Sequence, residues 1–141
     1  MGGGAIAIRA GGRDDVSTKH VLWRQSAGSY VPSPVVVGGH LYWADERGMA
    51  CCLKTDTGQQ VYRQRLPGAG SVYASTIAGD GKLYVVTRRN GTFVLPAEPK
   101  FKVLAQNRLE SDSTDFNTCP AVSHGSLLLR SNRFLYCVGT K

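Results

Sequence analysis

The side chains of this sequence best suited to chemistry are few and scattered. Asp112-Ser113-Thr114-Asp115-Phe116-Asn117 gathers five oxygen-bearing side chains in six positions, the donor type that calcium prefers. It lacks the Gly and the closing Glu of an EF-hand, and Asp and Ser also dominate plain turns, so a turn is expected and no metal ligand is assigned. The histidines, His20, His40 and His124, are far apart. His40 and His124 read as the same turn or strand edge of two different units, which would put them on one rim, but a metal site there has no third ligand. The cysteines are Cys51, Cys52, Cys119 and Cys137, without Cys-x-x-Cys spacing. Cys51 and Cys52 fall in a predicted strand, where successive side chains point to opposite faces. They read as two small buried residues, with a vicinal disulfide or redox pair as the alternative. Cys119 and Cys137 would meet only if their strands are neighbours in register. No Ser/His/Asp or Cys/His arrangement has workable spacing. Catalytic, cofactor-binding and metal residues are therefore all assigned as none.

Other patterns have structural explanations. Asn90-Gly91-Thr92 matches a glycosylation acceptor, but Asn-Gly is also the strongest short hairpin signal. Gly2-Gly3-Gly4 and Gly11-Gly12 lack the Lys-Ser/Thr of a phosphate loop and read as loop glycines. Trp23, Trp43, Tyr42, Tyr62 and Tyr84 fall at repeated strand positions, where large aromatics serve as core; a cofactor platform is the sharper alternative. The net charge is +7, yet the arginines are dispersed and Arg88-Arg89 is their only adjacent pair. Edge-strand and turn charges account for this pattern, so no nucleic-acid partner is expected. No stretch approaches the roughly 18 apolar residues of a membrane helix. Met1 to Ile8 lacks the basic start and apolar core of a secretory signal.

The elements that would position these residues come from a repeat. Ser33-Pro34-Val35-Val36-Val37-Gly38-Gly39-His40-Leu41-Tyr42 returns as Ser75-Thr76-Ile77-Ala78-Gly79-Asp80-Gly81-Lys82-Leu83-Tyr84. It returns again as Cys119-Pro120-Ala121-Val122-Ser123-His124-Gly125-Ser126-Leu127-Leu128. A period of about 40–45 residues made of short strands is the signature of propeller blades. Turn residues mark the strands. In the clearest unit they are 33–37, 40–44, 49–53 and 60–64; in the next, 74–78, 82–87, 92–95 and 103–107; in the last, 121–123, 126–130 and 134–138. Strands 5–9 and 21–25 lie at the start. Val35-Val36-Val37 and Leu127-Leu128-Leu129 do not alternate, which predicts strands covered on both faces.

The fold class expected is all-β: a partial β-propeller of about three four-stranded antiparallel blades, a segment of a seven- or eight-bladed ring. The units are 1–28 (end of a blade), 29–69, 70–114 and 115–141 (incomplete last blade). The first unit would hold the third and fourth strands of a blade and the last would lack its fourth. The chain is thus expected to be a C-terminal segment of a longer propeller, with apolar faces and strand edges that favour self-association.

These units resemble the pyrroloquinoline-quinone-like repeat propellers, which include assembly scaffolds and quinoprotein dehydrogenases. The resemblance lies in Ser33-Pro34-Val35-Val36-x-Gly38-Gly39-x-Leu41-Tyr42, Gly48-x-x-x-Cys52-Leu53, Thr57-Gly58 with Tyr62, and Val21-Leu22-Trp23-Arg24. It covers essentially the whole chain, is strongest in 29–66 and is weakest in 115–141. The unit at 70–107 replaces Thr-Gly by Pro96-Ala97-Glu98-Pro99. The resemblance implies a non-catalytic scaffold that binds protein or peptide on a propeller face, packs against upstream blades, and works in the periplasm or another extracytoplasmic space. The alternative it implies is a quinone-dependent dehydrogenase of alcohols or sugars. Pyrroloquinoline quinone and calcium would be cofactors only under that alternative.

Overall fold

The structure, a computed structural model, describes residues 4–139. Met1, Gly2, Gly3, Thr140 and Lys141 lie outside the described residues, and with them most of the Gly2-Gly3-Gly4 loop reading. The described chain is a partial β-propeller of thirteen strands in four antiparallel sheets. Sheet one pairs β1 (Ala5–Ile8) with β2 (Val21–Gln25). Sheet two is a meander of β3 (Val35–Val37), β4 (His40–Ala44), β5 (Met49–Lys54) and β6 (Gln60–Arg65). Sheet three repeats it with β7 (Ile77–Gly79), β8 (Lys82–Val86), β9 (Thr92–Pro96) and β10 (Ala105–Asn107). Sheet four has β11 (Ala121–Ser123), β12 (Ser126–Arg130) and β13 (Leu135–Val138). The sheets stand as blades along an open arc. The accessible surface is 8708 Å², against about 7,100 Å² for a compact monomer of this mass.

Each blade begins with the same tight hairpin. Val37 pairs with His40, Gly79 with Lys82 and Ser123 with Ser126. The two residues between have positive φ in every copy: Gly38-Gly39, Asp80-Gly81 and His124-Gly125. That backbone matches the right-handed twist of the flanking strands. It also separates two residues expected to be equivalent. His124 occupies the position of Gly38, whereas His40 occupies that of Lys82 and Ser126, so the two histidines belong to different repeat positions.

The turn between the second and third strands is held by a buried polar residue in every complete or nearly complete blade. Asp45, Thr87 and Ser131 are each buried. Asp45 Oδ1 accepts from the Arg47 and Met49 amides, Thr87 Oγ1 from Asn90, and Ser131 Oγ from Arg133 and Phe134. The linkers between blades are tied to these turns. Val72 N donates to Glu46 O and, one blade on, Phe116 N donates to Arg88 O. Arg88 N donates to Ser71 O, and Asn132 N to Asp115 O. A buried backbone donor without such a partner costs about 1–3 kcal/mol.

Most apolar burial lies between sheets. The central core joins blades two and three through Tyr42, Cys52, Leu66, Leu83, Phe93 and Leu95. A second cluster, with Trp23, Trp43, Cys51 and Leu53, joins sheet one to blade two. A third and smaller one joins blade three to blade four through Ala74, Val86, Phe116 and Leu129. The expectation that Val35-Val36-Val37 is covered on both faces fails. Val36 is 61% exposed because it pairs with Leu41 on the face turned to sheet one, whose two strands do not cover it, and Leu127 and Leu128 are likewise only half-buried. In β11, all three residues are exposed.

Trp23 shows how one blade grips the next. Its Nε1 donates to Thr55 O at 2.9 Å, and its ring lies against Gly58. A Cβ on Gly58 would sit 2.5 Å from Trp23 Cδ2, and Gly58 has a φ of +70°. Gly38 has a similar backbone but open space around it. In urea unfolding, Gly58→Ala is therefore expected to cost about 2–3 kcal/mol. Gly38→Asp, which copies Asp80, should stay within about 0.5 kcal/mol. Equal effects at the two glycines would remove the docking role of Trp23.

Candidate functional site

A ring of polar residues closes the junction of blades three and four. Arg88 lies on the Tyr73 ring, 4.7 Å from its centroid. Its Nε donates to Asn117 Oδ1 at 2.8 Å, and its Nη2 donates to Asp115 Oδ2. Arg89 Nε donates to the other Asp115 oxygen. The pair stands in the turn after β8, and Asp115 in the linker to β11, so these contacts tie a blade to the linker that follows it. The Arg89 hydrogen bond and then the Arg88 charge hold the Asp115 carboxyl below its ordinary range.

Asp112 anchors the same linker. Its Oδ1 accepts from Thr114 N at 2.9 Å and Thr114 Oγ1 at 2.6 Å, and its Oδ2 from the Tyr136 hydroxyl at 2.8 Å. Hydrogen bonds from Ser131 first, and then Thr114, push its carboxyl well down. The segment expected to be a turn contains an Asx turn, and its two carboxylates are engaged by hydroxyls and guanidinium groups. Among the described residues, no three His, Cys, Asp or Glu side chains converge as a metal group.

Beside this ring lies a cleft of about 950 Å³ between the facing sheets. Tyr84 and Val86 of β8 form one wall, and Leu127, Leu129, Val122 and Val138 of blade four the other. Its polar margin carries Arg89, Arg108, Glu110 and Asp112. Pockets for small molecules or side chains are of this size and apolar character.

The other sequence candidates are distributed through the packing. Cys51 and Cys52 are buried, unbonded to each other and on opposite faces of β5. Burial raises the Cys51 thiol to about 12 and the Cys52 thiol to about 11. Cys119 and Cys137 are free and exposed; Cys119 lies in the linker before β11, not on a strand, and Cys137 lies on β13, across β12 from β11. Cys119 Sγ accepts from Ser75 N at 3.2 Å, as Ser75 Oγ accepts from Ser33 N at 2.9 Å one blade earlier. Asn90 is committed to Ala69 O through its Nδ2, and Thr92 is buried. Trp23, Trp43, Tyr42 and Tyr62 are buried between blades and Tyr84 is half-buried at the cleft. The histidines do not meet: His20 bonds Arg9 O, His40 bonds Gly38 O and His124 bonds Ser123.

The cleft and the arginine–aspartate ring are the features that linear motifs do not show. Their signal lies in departures from the repeat. For the cleft, Gly79 in its lining stands where the preceding unit has Val37.

A sequence model of the family described as "Outer membrane protein assembly factor BamB" matches residues 13–99. The outer membrane protein assembly factor BamB of Burkholderia pseudomallei is 31% identical over 116 residues, 78% of this chain and 28% of that protein. The structure is similar to BamB from Moraxella catarrhalis, with a TM-score of 0.67 and 17% identity over 92% of this chain and 38% of that one. It is also similar to the quinohemoprotein alcohol dehydrogenase from Comamonas testosteroni, with a TM-score of 0.60 and 19% identity over 72% of this chain and 17% of the enzyme. These structural likenesses carry the propeller fold.

Two measurements check the site description. Because the folded-state carboxyls of Asp112 and Asp115 are depressed, their stabilisation is present at neutral pH and is lost as pH falls below about 4. The double variant Asp112→Asn, Asp115→Asn should melt lower at pH 7 and show a shallower acid decline. An unchanged decline would contradict the assignment. An aromatic disulfide reagent should titrate Cys119 and Cys137 quickly in the native chain and Cys51 and Cys52 only on unfolding. Four fast thiols would contradict the packing of β5.

Proposed function

The chain belongs to the BamB family of pyrroloquinoline-quinone-like repeat propellers, and on that premise we propose that it is part of a non-catalytic scaffold that binds protein or peptide. The observation that carries this reading is how the polar groups are used. Asp112, Asp115, Arg88 and Arg89 are engaged with one another's surroundings across a blade junction, and the open feature beside them is an apolar cleft. The chain spans 28% of the curated relative's length, so the scaffold's other blades are partners too. The outward apolar residues Ile6, Ile8 and Leu22 at one end and Leu135 at the other are exposed, and they suit packing against neighbouring blades of a longer chain. The relative's name as an outer membrane protein assembly factor supports an extracytoplasmic location. No helix among the described residues is long and apolar enough to cross a membrane.

The likeness to a quinohemoprotein dehydrogenase raises a second reading, oxidation of an alcohol or sugar with pyrroloquinoline quinone and calcium. The residues described here do not fit that group. The tryptophans that would serve as a platform are buried between blades, and the carboxylates of the oxygen-rich segment already hold arginines and hydroxyls. No catalytic step is assigned to them. Titrating the chain with pyrroloquinoline quinone and calcium, with a redox dye and a primary alcohol present, should give no saturable quinone spectrum and no dye reduction. A saturable spectrum lost on Trp23→Phe or Asp115→Asn would establish the enzyme reading in place of the scaffold.

A further inference from the structure

We propose that the rim formed by the turns between the second and third strands of blades two, three and four docks an extended acidic segment of a partner protein. The inference rests on the scaffold reading and gives it a location and a ligand chemistry. Its basis is an arginine that recurs at one turn position. Two residues after the buried caps Asp45, Thr87 and Ser131 stand Arg47, Arg89 and Arg133. Each turn is closed by its cap side chain and the amides that donate to it, so the turn itself does not require arginine there. The side chains of Arg47 and Arg89 are 68% and 70% exposed. Arg133 is exposed too, over the Phe134 ring at 5.1 Å from its centroid.

The backbone holds these turns in line. Ser71 O accepts from Arg88 N while Val72 N donates to Glu46 O, so one peptide group bridges the first turn to the second. The peptide group of Asp115 and Phe116 bridges the second to the third in the same way, through Asn132 N and Arg88 O. Two hydrogen bonds and one peptide group set neighbouring turns within about 9 Å of each other. Alternate side chains of an extended strand stand about 7 Å apart on one face, a spacing that flexible arginines can meet. The first two turns keep a positive excess. At the first, Arg65 donates to Arg47 O and Asp45 is taken by Arg63, which leaves Glu46 against two guanidinium groups. At the second, Arg88 and Arg89 share Asp115. Lysines stand at the opposite strand ends, Lys54 paired with His40 and Lys82 with Gly79, where Asp56 and Asp80 are exposed in the same turns.

Further blades of a longer chain do not reach this surface. Blades cover one another through their sheet faces, so added blades extend the arc at its two ends, whereas Arg47 and Arg89 belong to the two four-stranded sheets between. Tyr73, in the linker between the first two turns, is exposed under Arg88. Arginine and tyrosine are the residues enriched in protein interfaces. Glu46 and Asp115 among the arginines oppose the dense charge of a nucleic acid or an anionic membrane more than a segment with a carboxylate at alternate positions.

The test uses the whole chain and two synthetic peptides, TETETETE and TQTQTQTQ, acetylated, amidated and fluorescein-labelled. At low ionic strength, anisotropy should show saturable binding of the glutamate peptide below about 1 mM and at least about tenfold weaker binding of the glutamine peptide. Added salt should weaken it, because exposed charges are screened. In nitrogen-15 spectra the amides that shift should lie in 45–48, 87–91 and 131–134. Arg47→Gln with Arg89→Gln should weaken the glutamate peptide by at least about fivefold, and so should Arg47→Gln with Arg133→Gln. Lys54→Gln with Lys100→Gln removes the same charge from the opposite rim and should change it by less than about twofold. The variants must keep the parent melting temperature. The pair with Arg133 leaves the Arg89 contact to Asp115 intact, so it decides the matter if the first pair misfolds. Equal affinity for the two peptides, no binding up to about 1 mM, or equal weakening by the lysine pair would each overturn the proposal. Tighter binding of an oligothymidylate of equal length, or of phosphatidylglycerol vesicles, would make a nucleic acid or a membrane the occupant, and the proposal also falls. These outcomes leave the scaffold reading standing, because that reading fails separately, on quinone binding.

Discussion

Everything in this molecule depends on one sheet face being buried by the next. A four-stranded antiparallel sheet has no interior of its own, so its apolar side chains gain from burial only when another blade covers them. Each fully buried Leu, Val or Phe then contributes about 1.5–3 kcal/mol. The Trp23 ring on Gly58 fixes how far apart the first two sheets stand. Tyr62 against Phe101 does the same for the next pair. Polar groups are subordinate to this stacking. Asp45, Thr87 and Ser131 satisfy turn amides that stacking buries, and the linkers hydrogen-bond to the turns they cross.

The sequence was legible where a physical rule acts over a few residues. Hairpins were marked by glycine or Asp-Gly pairs, because the turn demands positive φ at both central positions. Strand β4 and the β11 and β12 strands follow from those turns and from apolar runs between them. The reading failed where the answer lies in a strand's neighbours. Val35-Val36-Val37 looks like a strand covered on both faces, yet the two strands of sheet one do not cover Val36, which faces solvent. His40 and His124 look alike in a linear alignment, but hairpin register sets them two positions apart.

The site was less legible than the fold. Arg88-Arg89 stands out as a basic pair and Asp112 to Asn117 as an oxygen-rich segment, but nothing local says that one neutralises the other. That contact spans 27 positions and exists because the linker doubles back over the turn of the blade it leaves. The cleft is visible in sequence only as one small residue in a repeat, Gly79, where the preceding unit has Val37. Family membership accounts for the framework. The cleft leaves the interface between blades three and four the least filled of the three.

That difference among interfaces is the central physical claim, and native-state hydrogen exchange tests it directly. Amides of β4, β5, β8 and β9, packed on both faces of the central core, should exchange only through global unfolding. Amides of β12 and β13 should open together at a lower free energy, as one cooperative unit. Uniform protection across all four sheets would contradict the claim that blade four is held by an under-filled interface.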